Sequence, residues 1–231
     1  GGHAPALVFE DADVKQAAKL LSAAKFRNAG QVCVSPTRFM VHERVYDDFV
    51  EQFTAAAKAL VVGDGLDEAT QMGPLANLRR VEAMDALVSD AVQRGARIRT
   101  GGRRLRNDGF FFQPTVLTDV PLDSRIMNEE PFGPVVPIAS FSTFEDAMVE
   151  ANRLPYGLAA YAYTKSAATI GALGSIVESG MVSINHQGLA LPETPFGGIK
   201  DSGYGSEGRP DAMDAPLNTT FLTQMHGQHA R

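Results

Sequence analysis

The stretch that decides the fold is ALVFEDADVKQAAKLLSAAKFRNAGQVCVSPTRFMVH, residues 6–42. It opens with a short apolar run at 6–9 and closes with a strand-like run at 37–42. Between them, apolar residues recur with the helical period at Val14, Ala17, Leu20, Leu21 and Ala24. Asp11 or Asp13 can cap that helix. A strand, a helix and a second strand in succession predict a parallel pair.

The same alternation continues along the chain. Helical periodicity predicts further helices over 43–60, 78–95, 143–154 and 166–179. Strand patterns cover 97–102, 110–120, 134–141, 158–164 and 181–185, and Pro137 interrupts the third of these. The sequence therefore predicts an α/β fold, a mostly parallel sheet flanked by helices. Beyond Pro210 the pattern changes, and LNTTFLTQM (217–225) predicts an extended strand tail.

Composition excludes several classes of protein. The 231 residues carry a net charge of −6, which argues against a nucleic-acid groove. No apolar run is long enough for a membrane span, and the first residues lack the basic start of a signal peptide. The single cysteine, Cys33, cannot form an internal disulfide, so we expect a cytoplasmic setting.

Two other patterns carry no chemistry. The five histidines do not pair with acids or with Cys33 at ligand spacing, so no metal site is expected. Gly203, Gly205 and Gly208 spell G-x-G-x-x-G, but no predicted strand precedes them and Arg209-Pro210 follows. We interpret them as a glycine-rich loop.

Two features stay open on spacing alone. Cys33 is either a small buried core residue or a nucleophile presented by a turn between Gly30 and Pro36. The pair Glu129-Glu130 precedes a rigid Pro-Phe-Gly-Pro turn that can present one acid accurately. Spacing favours a solvated acidic pair there.

At these residues the chain resembles the NAD(P)-dependent aldehyde dehydrogenases. FRNAGQVC (26–33) resembles their nucleophile motif and NEEPFGPV (128–135) their cofactor-side motif. LPYGLAAYAYT (154–164), MVSIN (181–185) and TPFGGIKDSGYGSEG (194–208) match later motifs in order. The resemblance runs from Gly1 to about Met225.

The resemblance implies roles for individual residues. Cys33 is then the nucleophile, forming a thiohemiacetal and then a thioester with an aldehyde, and NAD or NADP accepts the hydride. Glu130 holds the nicotinamide ribose and Phe132 packs near the nicotinamide. Phe196 lines the aldehyde pocket, and the backbone N–H of Cys33 supplies an oxyanion donor.

The resemblance also implies a domain organisation. Residues 1–210 are expected to form the catalytic domain, and 211–231 a tail that serves as an oligomerisation strand in a homo-oligomer. Gly1-Gly2 would end the family's Glu-Leu-Gly-Gly motif, whose glutamate is the general base, and the cofactor-binding domain would lie upstream. We therefore expect this chain alone to be inactive as an oxidoreductase.

The motifs are most similar to the succinate-semialdehyde subgroup. Arg27 would then bind the substrate's carboxylate, although an arginine at a helix C-terminus is also favoured by the helix dipole. Ser35 and Ala190 stand where that subgroup often has a cysteine and a small hydroxyl residue. Two other functions stay open, a cofactor-independent thiol hydrolase and a non-catalytic oligomerising module.

Overall fold

The fold is described from a computed structural model that covers residues 1–105, 108–208, 212, 217 and 220–223. Seven strands form one sheet in the order β3-β4-β5-β2-β1-β7-β8. Their bounds are β1 Ala4–Val8, β2 Pro36–His42, β3 Arg97–Thr100, β4 Thr115–Thr118, β5 Val135–Phe141, β7 Ala159–Tyr163 and β8 Met181–Ile184. Neighbours in the sheet are parallel except β3 and β4, which confirms the mostly parallel α/β fold.

Helices cover both faces of this sheet. They are α1 Val14–Phe26, α2 Tyr46–Ala59, α3 Leu78–Gln93, α4 Arg125–Asn128, α5 Phe144–Asn152 and α6 Ala167–Ile176. Side chains alternate across each strand, so Ala6 and Val8 join the core under α1, α2 and α3, whereas Leu7 joins the core under α5 and α6. The result is a three-layer α/β domain.

The first strand–helix–strand unit forms as its sequence predicts. Of the two candidate caps, Asp13 begins α1, where its carboxylate accepts a hydrogen bond from the Gln16 N–H at 3.0 Å. Asp11 instead accepts from the hydroxyl of Thr164 and the N–H of Lys165. β1 and β2 pair in parallel. The end of α1 and the loop after it therefore lie at the end of the sheet where β2 begins.

Pro137 does not interrupt β5, contrary to the sequence interpretation. β5 pairs with β4 through Val135–Pro137 and with β2 from Ile138 onward. The proline therefore stands where the strand changes pairing partner, and its missing N–H removes no bond from a continuous ladder.

Two elements were missed by sequence reasoning. A two-stranded antiparallel ribbon joins β6 Tyr156–Gly157 to β9 Ile199–Lys200, and α4 is a single short turn of helix. Four of the nine residues of the predicted tail at 217–225 (218, 219, 224 and 225) lie outside the described residues, and 217 and 220–223 are not in a strand. Phe221 and Leu222, which are described, are 89% and 87% exposed.

Candidate active site

A left-handed turn follows α1. Asn28, Ala29 and Gly30 have φ angles of 50°, 53° and 73°, so the chain reverses its handedness for three residues in succession. For residues other than glycine this conformation costs about 1–2 kcal/mol each. The turn therefore persists only because its surroundings hold it.

Two amide side chains hold the turn. Asn28 Nδ2 donates to the carbonyl of Gln31, and Gln31 Nε2 donates to the carbonyl of Asn28, each at 3.1 Å. Gln31 Oε1 also accepts from the N–H of Ala76 at 2.8 Å, and its Nε2 lies 3.5 Å from the carbonyl of Pro74. The loop is thereby attached to a distant segment of the chain.

The turn packs backbone to backbone on the Pro-Phe-Gly-Pro turn. A Cβ atom at Gly30 would overlap the carbonyl oxygen of Gly133, and a Cβ at Gly133 would overlap the sulfur of Met84. Gly30 requires glycine, because the obstructing atoms are backbone and its φ is positive, whereas at Gly133 the obstructing atoms belong to the buried side chain of Met84. The nucleophile motif and the cofactor-side motif are thus in direct contact.

Cys33 lies in a β-turn at the mouth of a cleft. The N–H of Ser35 donates to the carbonyl of Val32 at 2.9 Å, and the Tyr161 hydroxyl donates to the carbonyl of Val34 at 2.5 Å. The thiol residue is half-buried and lines a cleft of about 650 Å³ with Phe196. A core cysteine would be enclosed, so this position fits a nucleophile better than a packing residue.

The adjacent acids Glu129 and Glu130 face different surroundings. Glu129 forms two hydrogen bonds with Arg125, which lower the pKa of its carboxyl. Glu130 Oε1 accepts from the N–H of Gly2 at 3.1 Å, and its other oxygen lies beside Gly1, which lines the cleft. One acid is therefore a surface ion pair and the other faces the site.

Phe132 follows in a strained conformation. Its φ is 46°, a left-handed value that is rare for a large side chain, and its ring is half-buried. Strain of this kind tends to occur at functional sites. The turn therefore presents Glu130 and Phe132 from the same rigid segment.

Arg27 lies apart from the cleft, in a second pocket of about 420 Å³. Its lining includes Val32 and Val34, which flank Cys33, together with Ala190 and the ring of Tyr161. Of the described residues that form this lining, Arg27 alone is charged. The two pockets thus meet at the loop that carries Cys33.

Sequence reasoning missed four residues of this site. Asn28 and Gln31 hold the loop, Tyr161 fixes it to β7, and Lys25 is buried beneath it. Tyr161 and Lys25 gave no distinguishing signal, because one falls in an apolar strand pattern and the other in an ordinary helix. Asn28 stands two residues before Gly30 in a turn, and asparagine in a turn is a usable signal for a left-handed residue.

Within the described residues, no three His, Cys, Asp or Glu side chains converge as metal ligands. His226 and His229 lie outside the described part of the chain. In the part of the chain that the structure describes, no helix has the length and apolar character needed to cross a membrane.

Comparison with known proteins identifies the class. Residues 1–222 match the aldehyde dehydrogenase family, and the chain belongs to that family. It is 48% identical to the putative 4-(hydroxymethyl)benzenesulfonate dehydrogenase TsaD2 of Comamonas testosteroni, over 96% of the chain and 46% of that protein. A probable NADP(+) succinate-semialdehyde dehydrogenase of Sinorhizobium fredii is 44% identical, over 96% of the chain and 45% of that protein.

A solved structure agrees with the sequence relatives. The succinate-semialdehyde dehydrogenase of Burkholderia pseudomallei superposes with a TM-score of 0.91 at 42% identity, covering 93% of the chain and 44% of that structure. The chain thus spans about half the length of the relatives it matches. The mostly parallel sheet with flanking helices is shared with this enzyme class.

Proposed function

We propose that this chain is the catalytic portion of an NAD(P)-dependent aldehyde dehydrogenase, with Cys33 as its nucleophile. The observation that carries the proposal is the position of Cys33, half-buried in a cleft that it shares with Phe196 and that Gly1 borders beside Glu130. A partly exposed thiol on a rigidly held turn can reach a carbonyl carbon.

The residues present fit the nicotinamide end of the cofactor. Glu130 has a carboxylate oxygen at the Gly1 edge of the cleft, where it can accept hydrogen bonds from ribose hydroxyls. Phe132 offers a half-buried ring on the same turn. When bound, the nicotinamide supplies the acceptor for the hydride.

Cys33 carries the covalent steps. Its sulfur adds to the aldehyde carbon, and the carbonyl oxygen gains a proton or a hydrogen bond as the thiohemiacetal forms. Loss of hydride from that carbon and of the hydroxyl proton leaves a thioester, which water cleaves to the acid and the free thiol. Within the described residues the Cys33 N–H donates to no protein acceptor, so it can donate to the oxyanion.

We propose that the substrate is an aldehyde with a remote acidic group, such as succinate semialdehyde. Among the described residues, Arg27 is the only charged one in a pocket adjoining Cys33, and a guanidinium can bind a carboxylate or sulfonate through two hydrogen bonds. The names of two relatives refer to compounds that carry such a group, a succinate and a benzenesulfonate.

Thiol chemistry tests the nucleophile. Native protein treated with iodoacetamide should become labelled at Cys33, and a 13C-labelled aldehyde should give a thiohemiacetal signal that the Cys33→Ser variant lacks. The matched control is Ser35→Ala, two residues away on the same turn, which should keep both signals. A thiol that labels only after unfolding would place Cys33 in the core and overturn the proposal.

Competition tests the anion pocket. Succinate semialdehyde should slow the labelling of Cys33 at lower concentration than butanal does, because only the former can pair with Arg27. Arg27→Met should remove that difference, whereas Arg97→Met, on the exposed strand β3, should preserve it. Equal protection by both aldehydes in the unaltered protein would show that Arg27 serves the helix end instead.

We further propose that the chain as given oxidises aldehydes far below an enzymatic rate. Glu130 and Phe132 are proposed to contact only the nicotinamide end of the cofactor, whereas binding of the remote parts is what orders the reacting end. A positioned general base contributes about 10²–10⁴-fold to the rate. Glu130 is not free to act as that base, because it is proposed to hold the ribose. Turnover of about 1 s⁻¹ with succinate semialdehyde and NAD or NADP, abolished by Cys33→Ala, would refute this proposal.

The tail is proposed to pair with another subunit. The large exposure of Phe221 and Leu222 supports this, because apolar side chains left open on one chain are commonly covered by another. Size-exclusion chromatography should show a smaller species when residues 211–231 are removed. An elution volume that still corresponds to the same number of chains after this removal would count against a homo-oligomer held together by the tail.

A further inference from the structure

Lys25 is a buried cation that the catalytic steps do not use. It lies in the last turn of α1, its side chain is fully enclosed, and its Nζ has no hydrogen-bond partner among the described residues. An ammonium in such a place is costly unless it is paired. A buried lysine without a partner therefore calls for an explanation.

Lys25 lies beneath the contact between the nucleophile loop and the cofactor-side turn. Its carbonyl oxygen lies against Gly30, which in turn packs on the carbonyl of Gly133. Glu130, three residues before Gly133, is the acid whose charge acts on Lys25. The backbone of Lys25 thus lies against the segment that carries Cys33, and that segment packs on the turn that carries Glu130.

Few other charged groups face this pair. His3 lies close enough for Lys25 to act on it, but its ring is hydrogen-bonded to Thr37 and to the carbonyl of Ile126. Two further cations, Arg38 and Arg153, act on His3, and each forms an ion pair with Glu150. The outer carboxylate oxygen of Glu130 lies beside Gly1. Among these groups, Glu130 is the acid available to a charged Lys25.

The observed arrangement suits a neutral amine. Glu130 Oε1 accepts from the N–H of Gly2, and its carboxylate does not bond Lys25. If Lys25 gains a proton, its ammonium needs a partner, and moving the Glu130 carboxylate inward would supply one.

We propose that Lys25 is a positioning residue for Glu130. Protonated Lys25 draws the carboxylate inward, away from Gly2, and neutral Lys25 leaves it on Gly2 at the edge of the cleft. This rests on the proposed function only in that the outward position is the one that serves the cofactor's ribose. Burial lowers the pKa of Lys25 to about 7, so both states are accessible near neutrality.

NMR titration of the chain itself tests the coupling. The Nζ or Cε signal of Lys25 should titrate in native protein, with a midpoint that falls by about one pH unit in Glu130→Gln because the attracting charge is lost. The 15N shift of Gly2, detected through carbon so that amide exchange does not matter, should show a step at the Lys25 midpoint. That step should be absent in Lys25→Met.

Matched variants make the result decisive. Lys19→Met, an exposed lysine on the same helix, should leave the Gly2 step unchanged. The α-amino group of Gly1 is present in every variant, so the difference between proteins isolates Lys25. If the Lys25 midpoint does not move in Glu130→Gln, or the Gly2 step persists in Lys25→Met, the proposed positioning is overturned. The Glu130→Gln measurement decides the matter even if Lys25→Met folds poorly.

Binding of nicotinamide riboside separates this inference from the proposed function. This probe carries the ring and ribose but no titrating phosphate. It should bind about tenfold more tightly at about pH 8.5 than at about pH 6, because the outward state is then mostly populated, and Lys25→Met should remove the dependence. If nicotinamide riboside does not bind but the Gly2 step is intact, only the cofactor role of Glu130 is refuted. Binding that is equal at both pH values would refute the role of Lys25 in presenting Glu130 to the ribose.

Discussion

The regular part of the β1–α1–β2 unit and the loop that joins α1 to β2 follow different rules. In the strands and the helix, the position of each apolar side chain relative to the sheet decides its role, and residues of similar volume are exchangeable. In the loop at 27–35, each residue has a separate task. Asn28 and Gln31 hold a left-handed turn, Gly30 permits a backbone contact and Cys33 occupies a β-turn.

This difference shows where stability and chemistry are separated in the chain. The unit's regular elements bury apolar surface on both faces of the sheet and support the loop. The loop adopts a conformation that its own residues disfavour, and it depends on a few polar and backbone contacts. Substitutions of equal size should therefore have unequal effects in the two regions.

The largest effect is expected for Gly30→Ala. A Cβ there would overlap the carbonyl of Gly133 in a residue with a φ of 73°, so unfolding free energy should fall by about 4 kcal/mol. Gly95→Ala is the matched control, since Gly95 has a φ of 112° but no atom near its Cβ position, and should cost about 1 kcal/mol. Urea unfolding measures both, and equal losses would contradict the proposed close contact.

Lys25→Met should have the next largest effect, and it should stabilise. The folded-state pKa of about 7 lies below the usual value near 10.5, so the unfolded chain binds more protons between these values. Stability of the unaltered protein therefore falls as pH drops from about 10.5 to about 7 and is not penalised further below that. Replacing a buried charge with an apolar group of similar shape gains on the order of 1–4 kcal/mol.

Denaturation at several pH values measures this gain. The advantage of the methionine variant should be small near pH 10 and reach its full value near pH 7. Lys19→Met, exposed on α1, should show no such trend. A gain independent of pH would mean that packing alone explains the effect of the substitution.

Periodicity predicted the regular elements because burial alone determines them. The helix capped by Asp11 or Asp13 and the mostly parallel sheet followed from spacing, and the structure then shows the cap at Asp13 and a parallel pairing of β1 with β2. The β6–β9 ribbon did not, since a two-residue strand has no period to detect. Pro137 was misinterpreted because its effect depends on which strand pairs at that position, and pairing is decided by the tertiary fold.

The site was only partly predictable for a related reason. The family was predicted from motifs and confirmed by the family match over residues 1–222. The roles of Cys33, Glu130, Phe132, Arg27 and Phe196 stay predictions. Spacing could not separate Glu129 from Glu130, because the distinction arises from partners far along the chain, Arg125 on one side and Gly2 on the other. Lys25 gave no signal because nothing in a helical pattern shows that a lysine will be enclosed.

A moderate effect is expected for Gln31→Met. The variant keeps the length of the side chain but loses its bonds to Asn28 and Ala76, which should cost about 1–2 kcal/mol. It should also change the rate at which Cys33 reacts with iodoacetamide, since the turn that carries the thiol is released. Gln93→Met, exposed at the end of α3, should change neither property. Full retention of both in Gln31→Met would show that the loop holds its shape without the amide.

The smallest effect, and the most direct comparison of the two regions, is expected for alanine-to-glycine changes at Ala29 and Ala18. Both alanines are almost completely buried, at 1% and 2% exposure, so each loses a similar methyl contact. Ala18 lies inside α1, where glycine costs about 1 kcal/mol of helix propensity in addition to the lost methyl. Ala29 has a φ of 53°, where glycine relieves about 1–2 kcal/mol of left-handed strain and offsets the same losses. Chemical denaturation should therefore show Ala29→Gly within about 0.5 kcal/mol of the unaltered protein and Ala18→Gly lower by about 1–2 kcal/mol. Equal destabilisation at the two positions would mean that the left-handed turn stores no strain, and that its conformation is set by the loop's hydrogen bonds at no local cost.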